Sequence, residues 1–559
     1  MNFKISLQKF SQLKYLLDWE LLLFLILFLN VKLALKVLAI IFIYLSRSNF
    51  KFGFSLKNSR LPLFYLLVIG IAIIDLFIAK NYSAPNYLPV FITGVVFWAL
   101  CILAIHQVKL SVEHVSPETI NRTIVVFFLI NALISLINLG AIIWETGAIN
   151  PYTYQGQHQK YFIGTGDYIK GITFDTSTTN AVLNAFGVIY FLVKKNAAML
   201  LVCMAVMLFT CSNYVNIVLT FILIGLFIFK SDRLQKSLIA ACFVFLVIFM
   251  AKISPQNNDY VITTINNILH VPNPPKLVQN SVIARITDRP DSVLSPEEKK
   301  QKIATLSLDS LSLAISKRRP QKKASLAPTN IPLLRTDAGR ILVPGADINS
   351  EPYQSLATTP AEQMQLLGFI NTHKASLPIS AQPYHWSATP GKLTGMLQTG
   401  LFFINHPQKV LTGDGPGNFS SKLAFRACGL GFSGGFPAKF IYINRDFLVN
   451  HLDLYLNYFS KRAGFHSLTN SPFSVYDQLI AEYGFFGLLF FFIFYIGFFL
   501  KHRRVLNYGL PALLLALAIL FTDYWFEQLS VLVFFELLLF LDIKENFVLQ
   551  HNQYGNELS

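Results

Sequence analysis

Long apolar runs dominate this chain. They fall at about 17–30, 32–46, 61–79, 87–106, 123–144, 178–193, 197–210, 213–229, 237–251, 476–500, 505–522 and 526–542. Most approach the roughly 20 residues that a helix needs to cross about 30 Å of hydrocarbon. The pattern predicts an all-α polytopic membrane protein of about twelve transmembrane helices, with one large loop between the ninth and tenth. Three regions follow: helices 1–9 over 1–251, the loop over 252–475, and helices 10–12 with a tail over 476–559. Asn30, Lys32 and Lys36 interrupt the first two runs, which read as a hairpin or one long tilted helix, so eleven crossings stay open. Such side chains within a bilayer require interfacial or protein partners.

Positive charges in short loops favour the cytoplasmic side. With the N-terminus inside, alternate loops collect Arg47, Lys51, Lys57 and Arg60, then Lys109 and Arg122, then Lys194 and Lys195, then Lys230, Arg233 and Lys236, then Lys501, Arg503 and Arg504, with Lys544 after the last helix. The intervening short loops hold few. This parity implies an inner (cytoplasmic) membrane protein with both termini cytoplasmic and the large loop on the outer face. Trp144 and Trp525 fall where interfacial aromatics are expected. Lys4, Lys9 and Lys14 precede the first run without a small-residue cleavage site, which reads as an uncleaved start.

Composition agrees with a partly lipidic solvent: 559 residues are 53% hydrophobic and 14% charged, and the mean hydropathy is +0.49. Four of the five cysteines lie in apolar runs and Cys428 stands alone in the loop, so they form no disulfide framework or metal pair and read as packing residues. The net charge is +16, and residues 252–475 hold 23 Lys and Arg against 13 Asp and Glu. That surplus suits an anionic partner, or simply solvates a translocated surface. Residues 285–365, rich in Ser, Pro and Lys, read as a flexible insertion. The stretches 394–405 and 447–459 read as amphipathic helices against the membrane surface.

Phosphate-binding GxxxxGK[ST], dinucleotide GxGxxG, zinc HExxH and hydrolase GxSxG patterns are absent, leaving nucleotide, metal and serine-hydrolase chemistry without local support. Chemistry is expected in two polar stretches. One runs from Tyr168 through Lys170 and Asp175 to Asn180. The other is the block 413–487, which opens on Gly413-Asp-Gly-Pro-Gly-Asn-Phe419, continues through Lys422, Arg426 and several glycines, and closes on Asn470 to Gly487. Glycines such as Gly415 and Gly417 permit close backbone approach and N–H nests for an anion, although on the glycines alone a plain surface turn is the simpler reading.

The segment Ser474-Val-Tyr-Asp-Gln-Leu-Ile-Ala-Glu-Tyr-Gly-Phe-Phe-Gly487 resembles the HN-x9-GxxG signature of the O-antigen ligase and polymerase superfamily, bacterial membrane glycosyltransferases with a large periplasmic loop before the tenth helix. The glycine turn at 413–419 and the segment Lys170-Gly-Ile-Thr-Phe-Asp-Thr-Ser-Thr-Thr-Asn-Ala181 resemble further motifs of that family. Two positions depart from it. Phe473 and Ser474 occupy the places of the His-Asn pair, and Lys170 stands for the usual arginine, retaining charge but losing the planar fork. These changes favour a polymerase for another surface polysaccharide over a strict lipopolysaccharide ligase.

The resemblance implies transfer of a glycan from an undecaprenyl-pyrophosphate carrier to a glycan or lipid acceptor in polysaccharide biosynthesis, with no cofactor, metal or nucleic acid, among membrane lipids and other polysaccharide-assembly proteins. Such a step needs cations for the pyrophosphate and a base for the attacking hydroxyl. Arg426, Lys170 and Arg445 are the candidate cations. For the base, His451, His466, Asp175 and Glu482 are candidates; each also has a structural reading as a surface, capping or local pairing residue. Asp75 and Glu536, inside apolar runs, read as polar bundle contacts before a proton path. A lipid-linked glycan transporter or a non-catalytic scaffold are the competing classes.

Overall fold

The computed structural model describes residues 16–153, 169–254, 391–429, 435–459, 468 and 471–557. The N-terminal lysines, the 285–365 insertion and His466 lie outside the described residues. Helices α1 (Trp19–Phe28), α2 (Leu33–Arg47), α3 (Phe64–Ile78), α4 (Tyr87–His114) and α5 (Pro117–Thr146) come first, then α6 (Ser177–Val193), α7 (Ala197–Phe209), α8 (Asn213–Phe229) and α9 (Arg233–Ile248). Four short helices follow: α10 (Gly391–Asn405), α11 (Lys422–Ala427), α12 (Arg445–Asn450) and α13 (Leu452–Phe459). The chain closes with α14 (Val475–Phe490), α15 (Gly509–Ile519), α16 (Trp525–Gln528) and α17 (Ser530–Glu557). No strand occurs among the described residues.

Every predicted apolar run coincides with a helix. Among the described residues four helices are long and apolar enough to cross a membrane: Tyr87–His114, Pro117–Thr146, Arg233–Ile253 and Val475–Leu500. The first two runs are separate helices packed against each other, a hairpin and not one tilted rod. Lys36 finds protein partners, donating to the Phe28 carbonyl at 2.7 Å and to Ser530 Oγ at 3.0 Å. The expected helices at 394–405 and 447–459 fall within α10 and α12–α13. Trp144 is 88% exposed, as an interfacial aromatic would be, but Trp525 is not. Its indole is buried and donates to the Ile519 carbonyl at 2.8 Å, because the turn between α15 and α17 folds inward.

Helix α6 is buried on nearly every face, as is the first half of α17; a helix apolar all round belongs at the centre of a bundle. The two meet through stacked Phe186 and Phe535, centroids 5.9 Å apart. All five cysteines are buried free thiols, consistent with packing. Between helices in lipid, packing and hydrogen bonds replace the hydrophobic drive. Asn180, Asn131 and Asn184 form such a buried set, with Asn131 Nδ2 and Asn184 Nδ2 both donating to Asn180 Oδ1 at 2.9 Å.

Hydrogen bonds and ion pairs sort the loops to two ends of the bundle. At one end Arg60 pairs with Glu113, Lys195 with Asp232 (2.6 Å) and Lys194 with Glu545 (2.6 Å), while Lys230 donates to the Leu506 carbonyl (3.0 Å). There Lys544 donates to the carbonyls of Val112 and Val115, closing the C-terminus of α4 with a cation. These are the loops whose positive charges set the sequence-based orientation. At the other end the Val31 amide donates to the Thr173 carbonyl (2.8 Å), Asn86 donates to the Ile441 carbonyl (3.0 Å) and Asn150 to that of Ile253 (3.0 Å). The described residues between 391 and 474 gather at that second end.

Candidate functional site

The two glycine motifs of the 413–487 block close on one another. Helix α14 breaks at Gly484, whose φ of 67° and ψ of −167° suit only glycine. An unbroken helix would pair the Phe485 and Phe486 amides with the Ala481 and Glu482 carbonyls. Here the segment 410–415 replaces both bonds. Phe485 and Phe486 donate to the carbonyls of Val410 (2.7 Å) and Leu411 (3.1 Å), while Asp414 and Gly415 donate to those of Ala481 and Glu482 (both 3.0 Å). Contact is close enough that a Cβ on Gly413 would strike the Glu482 backbone, and one on Gly484 the Leu411 backbone. Gly415 (φ 88°) is equally confined, a Cβ there meeting Asp75 Oδ2 at 2.6 Å. A Cβ on Gly417 would meet Val90 at 2.5 Å.

Beyond that junction the turn wraps the Glu482 carboxylate. Gly417 N–H donates to Oε2 at 2.9 Å, and Phe419, Ser420 and Ser421 donate to Oε1 at 3.2, 3.2 and 3.0 Å. The nest anticipated for a ligand anion is therefore occupied by the chain's own carboxylate, and Glu482 anchors the loop. Ser421 then caps α11 through its Oγ, which accepts from the Ala424 amide at 3.1 Å.

Helix α11 carries Lys422 and Arg426 four residues apart on one face, both half-buried. Neither forms a salt bridge among the described residues; Lys422 Nζ sits 5.5 Å above the Phe473 ring. Opposite them stands α16. Glu527 accepts from the Leu423 amide at 3.0 Å and from Gln478 Nε2 at 2.6 Å, and feels the positive charge of both Arg426 and Lys422. Phe473 packs on Tyr524 with centroids 5.4 Å apart. Its carbonyl accepts from buried Lys392, which also reaches Ser471 Oγ (3.2 Å) and the Thr522 carbonyl (3.4 Å). Burial brings Lys392 down to about 7, against the pull of Asp523 and Asp477.

The motif before α6 reaches the same region. Asn138 Oδ1 accepts from the Lys170 and Gly171 amides, both at 3.1 Å, and Asn131 Oδ1 from that of Ile172 at 2.9 Å. Asp175, half-buried, accepts from Thr179 Oγ1 at 3.0 Å. Its charge is felt by Asp523, which burial pushes above the usual carboxylate range, opposed by Lys422 and Lys392. Asp523 Oδ2 accepts from Gln528 Nε2 and Oδ1 from the Tyr524 amide, both at 2.7 Å.

Among the described residues no hydrogen bond or ion pair joins the remaining candidates to α11. His451 is buried, its Nε2 3.2 Å from Asp477 Oδ2 and its ring edge-on to Phe419; Asp477 also accepts from Thr399 Oγ1 at 2.7 Å, and His451 Nδ1 has no partner. Arg445 is exposed at the start of α12. Asp75 lies against the glycine turn, where Lys409 bridges Asp414 and Asp446. Burial drives the Asp414 carboxyl well above its usual range despite that lysine. Glu536 accepts from Tyr65 (2.5 Å) and Tyr495 (2.8 Å), a polar bundle contact. Sequence reasoning passed over Lys422 as a ligand group and missed Lys392, Asp477, Asp523 and Glu527. The i,i+4 pairs Lys422/Arg426 and Asp523/Glu527 were the available signal. No group of three or more His, Cys, Asp or Glu forms a metal site among the described residues. Comparison with protein families, curated proteins and solved structures finds no match to this chain.

Proposed function

We propose that this chain transfers or polymerises undecaprenyl-pyrophosphate-linked oligosaccharide on the outer face of the bacterial inner membrane, with twelve helices crossing and the 252–475 loop periplasmic. The observation that carries the reading is the α11 face. Lys422 and Arg426 stand half-buried without a salt bridge beside two buried carboxylates, Asp523 and Glu527. Cations of this kind bind a pyrophosphate and stabilise the charge that develops as it leaves, while a neighbouring carboxylate takes the proton of the attacking hydroxyl. Being only half-buried, both cations remain reachable from the outer end of the bundle. The glycine junction, with Glu482 at its centre, holds α11 in register with α16.

Mass spectrometry of polyprenyl-pyrophosphate glycans, in cells with and without the protein, tests this. Single repeat units accumulating on its loss identify a polymerase, and long lipid-linked chains a ligase. Unchanged pools would refute the enzyme and leave the non-catalytic scaffold.

A further inference from the structure

We infer that Asp523, in the turn between α15 and α16, is the base that accepts the proton of the attacking hydroxyl, an inference that rests on the transferase reading above. Four elements converge on this turn. Lys392 from α10 lies over the Phe521 ring at 5.4 Å and donates to the Thr522 carbonyl at 3.4 Å. Lys422 from α11 sits over Phe473, which packs on Tyr524. Asp175 approaches from the segment before α6, and Gln528 closes the turn from α16. The charged groups facing Asp523 are therefore Lys422, Lys392 and Asp175, with Gln528 as its neutral partner.

The other carboxylates at the site tie separate elements together, whereas both hydrogen bonds on Asp523 come from its own turn, from the Tyr524 amide and Gln528. Glu482 is bound by four amides, and Glu527 is held on both oxygens by the Leu423 amide and Gln478. On Asp523 the side-chain partner of Oδ2 is an amide that can turn away, and Gln528 Oε1 has no partner of its own. A base in this position takes the hydroxyl proton as the acceptor oxygen bonds to the anomeric carbon. The bond from that carbon to the pyrophosphate oxygen breaks, and its electron pair leaves with the polyprenyl pyrophosphate, held by Lys422 and Arg426. Nearby Asp175 and the low polarity of the buried turn favour proton uptake, and Lys422 and Lys392 return Asp523 to its charged form once the proton passes to water.

Asp523→Asn tests the inference, because Gln528 can flip to accept from the new amide and keep the turn folded. Turnover of endogenous polyprenyl-pyrophosphate glycans is measured in membranes of cells carrying the parent, Asp523→Asn or Asp523→Glu protein, or none, across pH 5 to 9. Expected are a loss of about 100-fold or more in the Asn variant at equal membrane level, with the acid limb of the rate profile abolished, and an intermediate rate with a displaced limb in the Glu variant. Parental rate and pH profile in Asp523→Asn would overturn the assignment while leaving the transferase reading intact. If cells lacking the protein turn these glycans over normally, that reading falls and the base with it. A Glu variant that keeps the parental profile when the Asn variant fails to accumulate would also overturn it, since a merely structural carboxylate leaves the pH dependence in place.

Discussion

Removing the Glu482 carboxylate should release the loop that carries the α11 cations. Four backbone amides converge on it at 2.9 to 3.2 Å, from Gly417, Phe419, Ser420 and Ser421. A buried donor left without an acceptor costs about 1–3 kcal/mol. Glu482→Ala orphans all four, so even the low end of that range gives about 4 kcal/mol. Glu482→Gln keeps an acceptor for the three amides at Oε1 but sets an amide N–H against Gly417 N–H, so a loss of about 2–3 kcal/mol is expected. Thermal unfolding of the detergent-solubilised full chain should therefore rank parent above Gln above Ala. Hydrogen exchange of the 417–421 amides should accelerate in the same order. An Ala variant with the parental midpoint and parental exchange would refute the anchoring role. Lost turnover at unchanged stability would instead return Glu482 to the role of base.

Three further outcomes are expected. Gly484→Ala should cost at least about 2 kcal/mol, because its backbone geometry admits only glycine and the added Cβ meets Leu411, whereas Gly70→Ala, which faces open space, should change stability by no more than about 1 kcal/mol; equal midpoints would count against the junction. Arg426→Ala and Lys422→Ala should each slow lipid-linked glycan turnover by about 10- to 100-fold at normal membrane levels, the worth of a charge-assisted phosphate contact; parental glycan pools would exclude them from the site. Lys392, held near 7 in the fold against 10.5 in the unfolded chain, is protonated only in the unfolded chain between those values. The parent should accordingly gain stability over Lys392→Met as pH rises from about 7 toward 10, by at most about 1.4 kcal/mol per pH unit; a flat or falling difference between their unfolding midpoints would contradict the burial of its charge.

Helix content was legible because it depends on local order. Apolar runs such as 87–106 and 123–144 leave the backbone one economical way to satisfy its own N–H and C=O groups away from water, and each run became a helix. The positive loops were equally readable, since their charges recur between the runs, and contacts such as Lys544 with Val115 join them at one end. Even the two glycine motifs stood out, the first as a turn or an anion nest and the second as a signature at a helix entry.

Which residues meet was decided by tertiary structure. Leu423 and Glu527 bond across 104 positions and Gly417 and Glu482 across 65, and no local pattern marks either partner for the other. Glu482 read as a candidate base or a local cap, and only the fold sets four amides on it. Trp525 read as interfacial until the α15–α16 turn folded inward and buried it. Hydrophobicity is a property each residue carries alone, so the sequence by itself determined where helices form; burial, charge pairing and the use of an acid or a cation depend on what lies opposite, and only the packed fold decided that.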